Sequence, residues 1–137
     1  LVVNFSEFLK DIHKKIGKTR RIYEKYCKLL KTNPRIKFQR ITSSKHNCCY
    51  MPVCFENQKT RDLVYNKLVR NNIKPRKYFY PLTSDFAYVK KILKKTFRED
   101  EISNAVNISK RILCLPIYPS LPHEVIDKIS RIINKII

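Results

Sequence analysis

The chain has 137 residues, 43% of them hydrophobic and 30% charged, which suits one domain folding around its own core and excludes a disordered chain. Thirty Lys and Arg against 11 acidic residues give a formal charge of +19, and a single Gly excludes every Gly-rich phosphate loop: Gly17-Lys18-Thr19 ends like a Walker A motif, but Ile12 stands where that motif needs Gly. No apolar run approaches the ~18 residues of a membrane-spanning helix, and the start at Leu1 with no signal peptide leads us to expect a fragment or excised domain.

Asn4, with Glu7 three residues on, is a candidate capping box. Phe5, Phe8, Leu9, Ile12, Ile16, Tyr23 and Tyr26 then recur at helical spacing, which predicts a long helix over about residues 5–31, weakened at Gly17 and ended by Asn33-Pro34. Arg35 to Ile41 alternates, with Ile36 and Phe38 on one face, and reads as a strand. After a polar turn over Thr42 to Asn47, Cys48 to Phe55 reads as a second strand, with Pro52 arguing for an edge or a bulge. Asn57 to Asn71 is helical with Leu63, Val64 and Leu68 inward, and Asn71-Asn72 and Pro75 stop it. Lys77 to Tyr80 is a short aromatic strand. Ser84 can cap a helix that puts Tyr88, Val89, Ile92 and Leu93 on one face. Glu101 to Lys110 is helical, and Ile112 to Tyr118 is a short strand closed by Pro116 and Pro119. Ser120 and Pro122 start a last helix with the apolar stripe Val125, Ile126, Ile129, Ile132, Ile133 and Ile136. The order predicts a single α/β domain over residues 1–137, an α+β sandwich in which helices cover a small, mostly antiparallel sheet.

The basic residues spread over nearly every segment between apolar positions, as on solvated helix faces, and no zinc-finger spacing, RNP-like strand or helix-turn-helix accompanies them. Five Cys (27, 48, 49, 54 and 114) are an odd number without secretory context, so reduced thiols in a cytoplasmic protein are expected. His46, Cys48, Cys49 and Cys54 could be read as metal ligands, but Cys48 and Cys49, adjacent on a strand, would point to opposite faces, so no metal is expected. His13, His46 and His123 stand in no catalytic pattern, and Ser43, Ser44 and Ser84 sit in no nucleophile elbow. The unusual segment is Arg76-Lys77-Tyr78-Phe79-Tyr80-Pro81-Leu82-Thr83. On a strand Tyr78 and Tyr80 would share a face, and with Arg76 nearby two phenols could bind a ligand bearing phosphate or sugar. A half-buried edge strand is the simpler account of the same residues.

Asn72-Ile73-Lys74-Pro75-Arg76-Lys77-Tyr78-Phe79-Tyr80-Pro81-Leu82 resembles the Ile-x-x-Arg-x-Tyr-Phe-Tyr-Pro-Leu stretch of the DegT/DnrJ/StrS-type nucleotide-sugar aminotransferases. Ala105 followed by Ile108 to Leu121, with Cys114-Leu115-Pro116-Ile117-Tyr118-Pro119, is similar to a second signature of that family, and His46 to Phe55 to one of its strands. Ile16 to Leu30 is similar to the long helix that leads into its small domain. The matches keep the family's order and spacing over nearly the whole chain.

The resemblance implies the C-terminal small domain of a fold type I, pyridoxal-phosphate enzyme that moves an amine from an amino donor to a nucleotide-linked keto-deoxysugar. In that family a large N-terminal domain, absent from this chain, carries the Schiff-base lysine and most phosphate contacts. The chain alone is therefore expected to bind no pyridoxal phosphate, to supply no catalytic residue and to be inactive, while the parent works as a homodimer in the cytoplasm without membrane or nucleic acid. By resemblance, Arg76, Tyr78 and Tyr80 would line or support the sugar-nucleotide pocket. Many members carry a His shortly after the Pro-Leu where this chain has Thr83, a departure that the resemblance also finds in the 3-keto-sugar branch. The alternative is a basic nucleic-acid-binding module, whose binding would weaken steeply with salt. A third possibility is an interaction domain that dimerises through the first helix.

Overall fold

The computed structural model of the chain describes residues 5–42, 46–93 and 102–137. A long helix α1 (Phe5–Leu30) leads to strands β1 (Ile36–Phe38) and β2 (Met51–Phe55) and helix α2 (Gln58–Arg70). Strand β3 (Arg76–Lys77), a 3-10 turn (Thr83–Asp85), helix α3 (Ala87–Leu93), helix α4 (Ser103–Arg111), strand β4 (Ile112–Leu115) and helix α5 (His123–Ile136) follow. The strands form one antiparallel sheet in the order β1-β2-β4-β3. The expected α+β architecture is therefore the one found. Asn4 lies outside the described residues, as do Ser43, Ser44 and Glu101.

Alternation of side chains along the strands divides the sheet into two unlike faces. Met51, Val53 and Phe55 of β2 and Leu113 and Leu115 of β4 are buried on one face. There they meet Ile22, Tyr26 and Leu30 of α1, Val64 and Leu68 of α2, and Ile126, Ile129 and Ile133 of α5. The α5 stripe packs as its spacing requires. Its docking on α1 is finished by polar contacts: Lys25 Nζ donates to Asp127 Oδ2 at 2.9 Å, and Asn134 Nδ2 donates to the Leu29 carbonyl at 3.1 Å. The Tyr26 hydroxyl donates to the Pro116 carbonyl at 3.0 Å, tying α1 to the end of β4; burial pushes this phenol's pKa up.

Several local expectations need correction. Pro52 sits in a central strand, not at an edge. It is tolerated because the β1 pairing ends at Phe38↔Val53, one residue short of it, so at Pro52 only β4 lies alongside. Cys48 precedes the strand in a left-handed conformation (φ 54°) and is buried, while Cys49 is exposed. The two thiols diverge as expected, but because of a bend and not a pleat. On α2 the inward residues are Arg61, Val64 and Leu68, whereas Leu63 is 56% exposed. Arg61, Val64 and Leu68 follow the i, i+3, i+7 rhythm, so the face is rotated from the one hydropathy picks out. Asn72 takes the left-handed position after the helix (φ 58°) that Gly usually fills, a role Asn accepts. Ser84 caps nothing: it lies inside the 3-10 turn, where the Asp85 carboxylate accepts from the Leu82 N–H at 3.1 Å, and α3 starts only at Ala87. Tyr88 and Ile92 are exposed, so the apolar face expected for α3 is not packed into the core.

Candidate functional site: a groove on the open sheet face

The second sheet face carries a groove of about 790 Å³. Its floor is Pro52, Cys54, Ile112 and Cys114, the residues that alternate with the core positions of β2 and β4. Ala105, Ile108 and Ser109 of α4 form one wall, and Tyr50, Tyr78, Phe79 and Leu82 form an aromatic wall opposite. Lys37, His46 and Arg111 supply the polar rim. Burial pushes the Cys114 thiol up to about 11, against the opposing pull of Arg76 beside it, so this thiol stays protonated and acts as an apolar surface.

The aromatic wall comes from a turn, not from the strand expected over Lys77 to Tyr80. β3 ends at Lys77, Phe79 is left-handed (φ 45°), and the Tyr80-Pro81 peptide is cis. A bulky residue in that conformation is strained and is held by its neighbours. Tyr78 packs between two rings, 5.4 Å from Tyr50 and 4.1 Å from Phe79, centroid to centroid.

Consequently Tyr78 and Tyr80 do not share a face. Tyr78 lines the groove, while Tyr80 turns to α2, where its hydroxyl accepts from Gln58 Nε2 at 3.1 Å and its ring lies 4.6 Å from the Arg61 guanidinium carbon. Arg76 is exposed on the edge strand, in register with Cys114. Thr83 is exposed in the 3-10 turn, its carbonyl accepting from Phe86 N–H at 3.3 Å. Of the four residues singled out in the sequence, only Tyr78 is part of the groove lining. Sequence reasoning missed Tyr50, Phe79 and Leu82; the available signal was Pro81, whose ring disfavours a continuous strand through Tyr80.

Behind Tyr80 lies a charged cluster. Asp62 Oδ1 meets Arg61 Nε at 2.9 Å and Lys77 Nζ at 2.7 Å. Burial raises the Asp62 pKa, but the hydrogen bond from Lys77 and the charges of Arg61 and Lys77 outweigh it, and the carboxyl ends below its ordinary value of 3.8. Lys77 Nζ also sits 4.7 Å over Tyr65 and 5.6 Å over Tyr80. At the other end of the groove, Arg20 Nη2 donates to the His46 carbonyl at 3.1 Å, and His46 Nδ1 accepts from the Cys48 N–H at 3.3 Å. No His/Cys/Asp/Glu group among the described residues can hold a metal ion.

Pyridoxal phosphate requires a lysine amine inside its pocket and a cradle for its phosphate. The lysine at the groove is Lys37, an exposed rim residue, and Lys77 of the neighbouring cluster is engaged by Asp62. The described residues do not form such a site by themselves.

The fold matches that of solved aminotransferases. The aminotransferase TlmJ of Streptoalloteichus hindustanus matches it with a TM-score of 0.79 at 15% identity, over 96% of this chain and 34% of its own. The Helicobacter pylori aminotransferase PseC, involved in the biosynthesis of pseudoaminic acid, matches with 0.77 at 15% identity, over 93% of this chain and 34% of its own. In sequence, residues 6–134 match the DegT/DnrJ/EryC1/StrS aminotransferase family, and the chain belongs to that family. It is 34% identical over 128 residues to the dTDP-4-amino-4,6-dideoxy-D-glucose transaminase of Escherichia coli, a match covering 91% of this chain and 34% of that protein. The chain thus spans about a third of that relative's length.

Proposed function

We propose that the chain is the C-terminal small domain of a pyridoxal-phosphate-dependent aminotransferase that acts on a nucleotide-linked keto-deoxysugar. The observation that carries this reading is the 34% identity to the Escherichia coli transaminase across 91% of the chain. The open sheet face supports it. A groove with an apolar floor, an aromatic wall and a cationic rim can receive both an acidic, apolar-centred protein surface and an aromatic, anionic ligand. The large domain closes on this face, supplies the lysine and the phosphate contacts, and the cofactor, once held there, supplies the electron sink for amine transfer. This chain's part is to enclose the sugar nucleotide and exclude water. Tyr78 lines its side of the pocket, and Arg76, Tyr80 and Thr83 support or rim it. The parent works as a homodimer in the cytoplasm. That location agrees with five free thiols and with the absence, among the described residues, of any helix long and apolar enough to cross a membrane. A nucleic-acid-binding module would have only the +19 charge behind it.

The test is a chimera in which this chain replaces the matching third of the Escherichia coli transaminase. We expect the chimera to bind pyridoxal phosphate and to transfer an amine from an amino donor to a dTDP-linked keto sugar, while the 137-residue chain alone shows neither pyridoxal absorbance nor turnover. A folded, cofactor-loaded chimera without transfer to any dTDP-keto sugar overturns the reading.

A further inference from the structure

Among the described residues Arg61 is the largest fully buried side chain, at 0% exposure. Val64 and Leu68, on the same face of α2, fill their places with apolar groups, and an apolar residue at 61 would avoid burying a charge altogether. The guanidinium is therefore explained by what it touches. Its Nη1 donates to the Ser109 carbonyl at 3.5 Å, and Ser109 belongs to the α4 wall of the groove. Its guanidinium carbon lies 4.6 Å from the centroid of Tyr80, in the turn that carries the aromatic wall, and Gln58, one turn earlier on α2, donates to the Tyr80 hydroxyl. Asp62 supplies the counter-charge 2.9 Å from Nε, while neither Nε nor Nη2 has a hydrogen-bond acceptor among the described residues. One cation thus contacts the α4 wall directly, at Ser109, and the 78–82 turn through Tyr80, which is not itself part of the groove lining.

We infer that Arg61 is a positioning residue that sets the width of the groove, holding the 78–82 turn at a fixed distance from α4 through its cation–ring contact with Tyr80 and its bond to the Ser109 carbonyl. A lysine would keep the charge but not the plane or the forked donors, so it would not replace Arg61. A phenylalanine would replace Tyr80, because the ring face and not the hydroxyl makes the contact. The functional weight of this device rests on the reading of the groove as a substrate pocket; its physical existence does not.

The test is nuclear magnetic resonance of the ligand-free 137-residue chain. In the wild type the Arg61 Hε and Lys77 Hε resonances are shifted upfield by the Tyr80 ring, and Tyr50 and Tyr78 show a ring-to-ring Overhauser effect. Y80F keeps both signals. Y80L loses the upfield shift at Arg61, loses the Tyr50–Tyr78 effect and moves the amides of Ile108 and Ser109, while the core amides of Met51 and Leu115 stay in place. R61K behaves like Y80L at the walls. Y80L alone decides if R61K does not fold, because Tyr80 is 39% exposed and contributes little to the core. Retention of the Tyr50–Tyr78 effect and of unshifted Ile108 and Ser109 amides in Y80L, or in folded R61K, overturns the inference. Since no ligand or turnover is read, that failure is distinct from failure of the aminotransferase reading.

Discussion

Asp62 is shared by two cations, and loss of its charge should be felt at both. Its folded pKa lies below the unfolded value of 3.8, so its contribution to stability is present above about pH 4 and is lost as pH falls through the folded value. Urea titrations of wild type and Asp62→Asn should therefore differ at pH 7, by about 1–2 kcal/mol in favour of the wild type, since the carboxylate side chain is one-third exposed. They should converge near pH 2; an equal gap at both pH values would show that the charge is not responsible. In the proposed reading Tyr78, a lining residue of the groove, acts on ligand. In the chimera, Tyr78→Ala should raise KM for the sugar nucleotide roughly tenfold, about 1.4 kcal/mol, with Tyr78→Phe close to wild type because the ring stack on Tyr50 remains. Steady-state kinetics with the dTDP-keto sugar varied separates the two.

Helix α1 shows how an element can be right in extent and different in what it buries. From Leu9 onward its buried residues are Thr19, Ile22, Tyr26 and Leu30, all in the second half. Leu9, part of the apolar periodicity in the first half, is 42% exposed. Hydropathy cannot tell an apolar stripe with a partner from one without. Gly17 falls near the middle of the helix, where an added Cβ meets nothing within 4 Å. Gly17→Ala should stabilise the chain by about 0.5–1 kcal/mol and raise Tm by a few degrees, because Gly loses more backbone entropy in a helix. Calorimetry showing a lower Tm would mean that α1 is not continuous through residue 17.

At the scale of the molecule the sheet is asymmetric: among the described residues three helices cover one face, and the groove, walled by α4, lies on the other. An interior this small can bury one face of a four-stranded sheet and leaves the second to a further layer of protein, which in the proposed reading is the large domain. Cys54 lies on the floor of that face and is only partly buried. Cys54→Arg should therefore leave the Tm of the isolated chain within a few degrees of wild type. In the chimera it should abolish transfer activity and weaken interdomain packing, visible as faster hydrogen exchange in Met51–Phe55. Full activity of that variant would place the large domain elsewhere.

Helix periodicity, strand alternation and the Pro and Asn punctuation were enough to specify most of the elements and the α+β class, because those signals act over a few neighbouring residues. The stripe of α5 and the stop at Asn71-Asn72 are the plainest cases. The family was legible for a related reason: its motifs are short strings in register. What needed the tertiary structure was every property set by residues distant in sequence. Arg61 reads as a surface cation until Asp62, Tyr80 and the Ser109 carbonyl close around it. Tyr78 and Tyr80 read as partners on one strand face until the chain turns at Phe79 and gives one ring to the groove and the other to α2. Pro52 reads as an edge marker until β4 pairs with its strand from the side that β1 leaves free. Burial of a charge and the direction of a turn depend on contacts that local propensity does not encode, and the candidate site is built from those contacts.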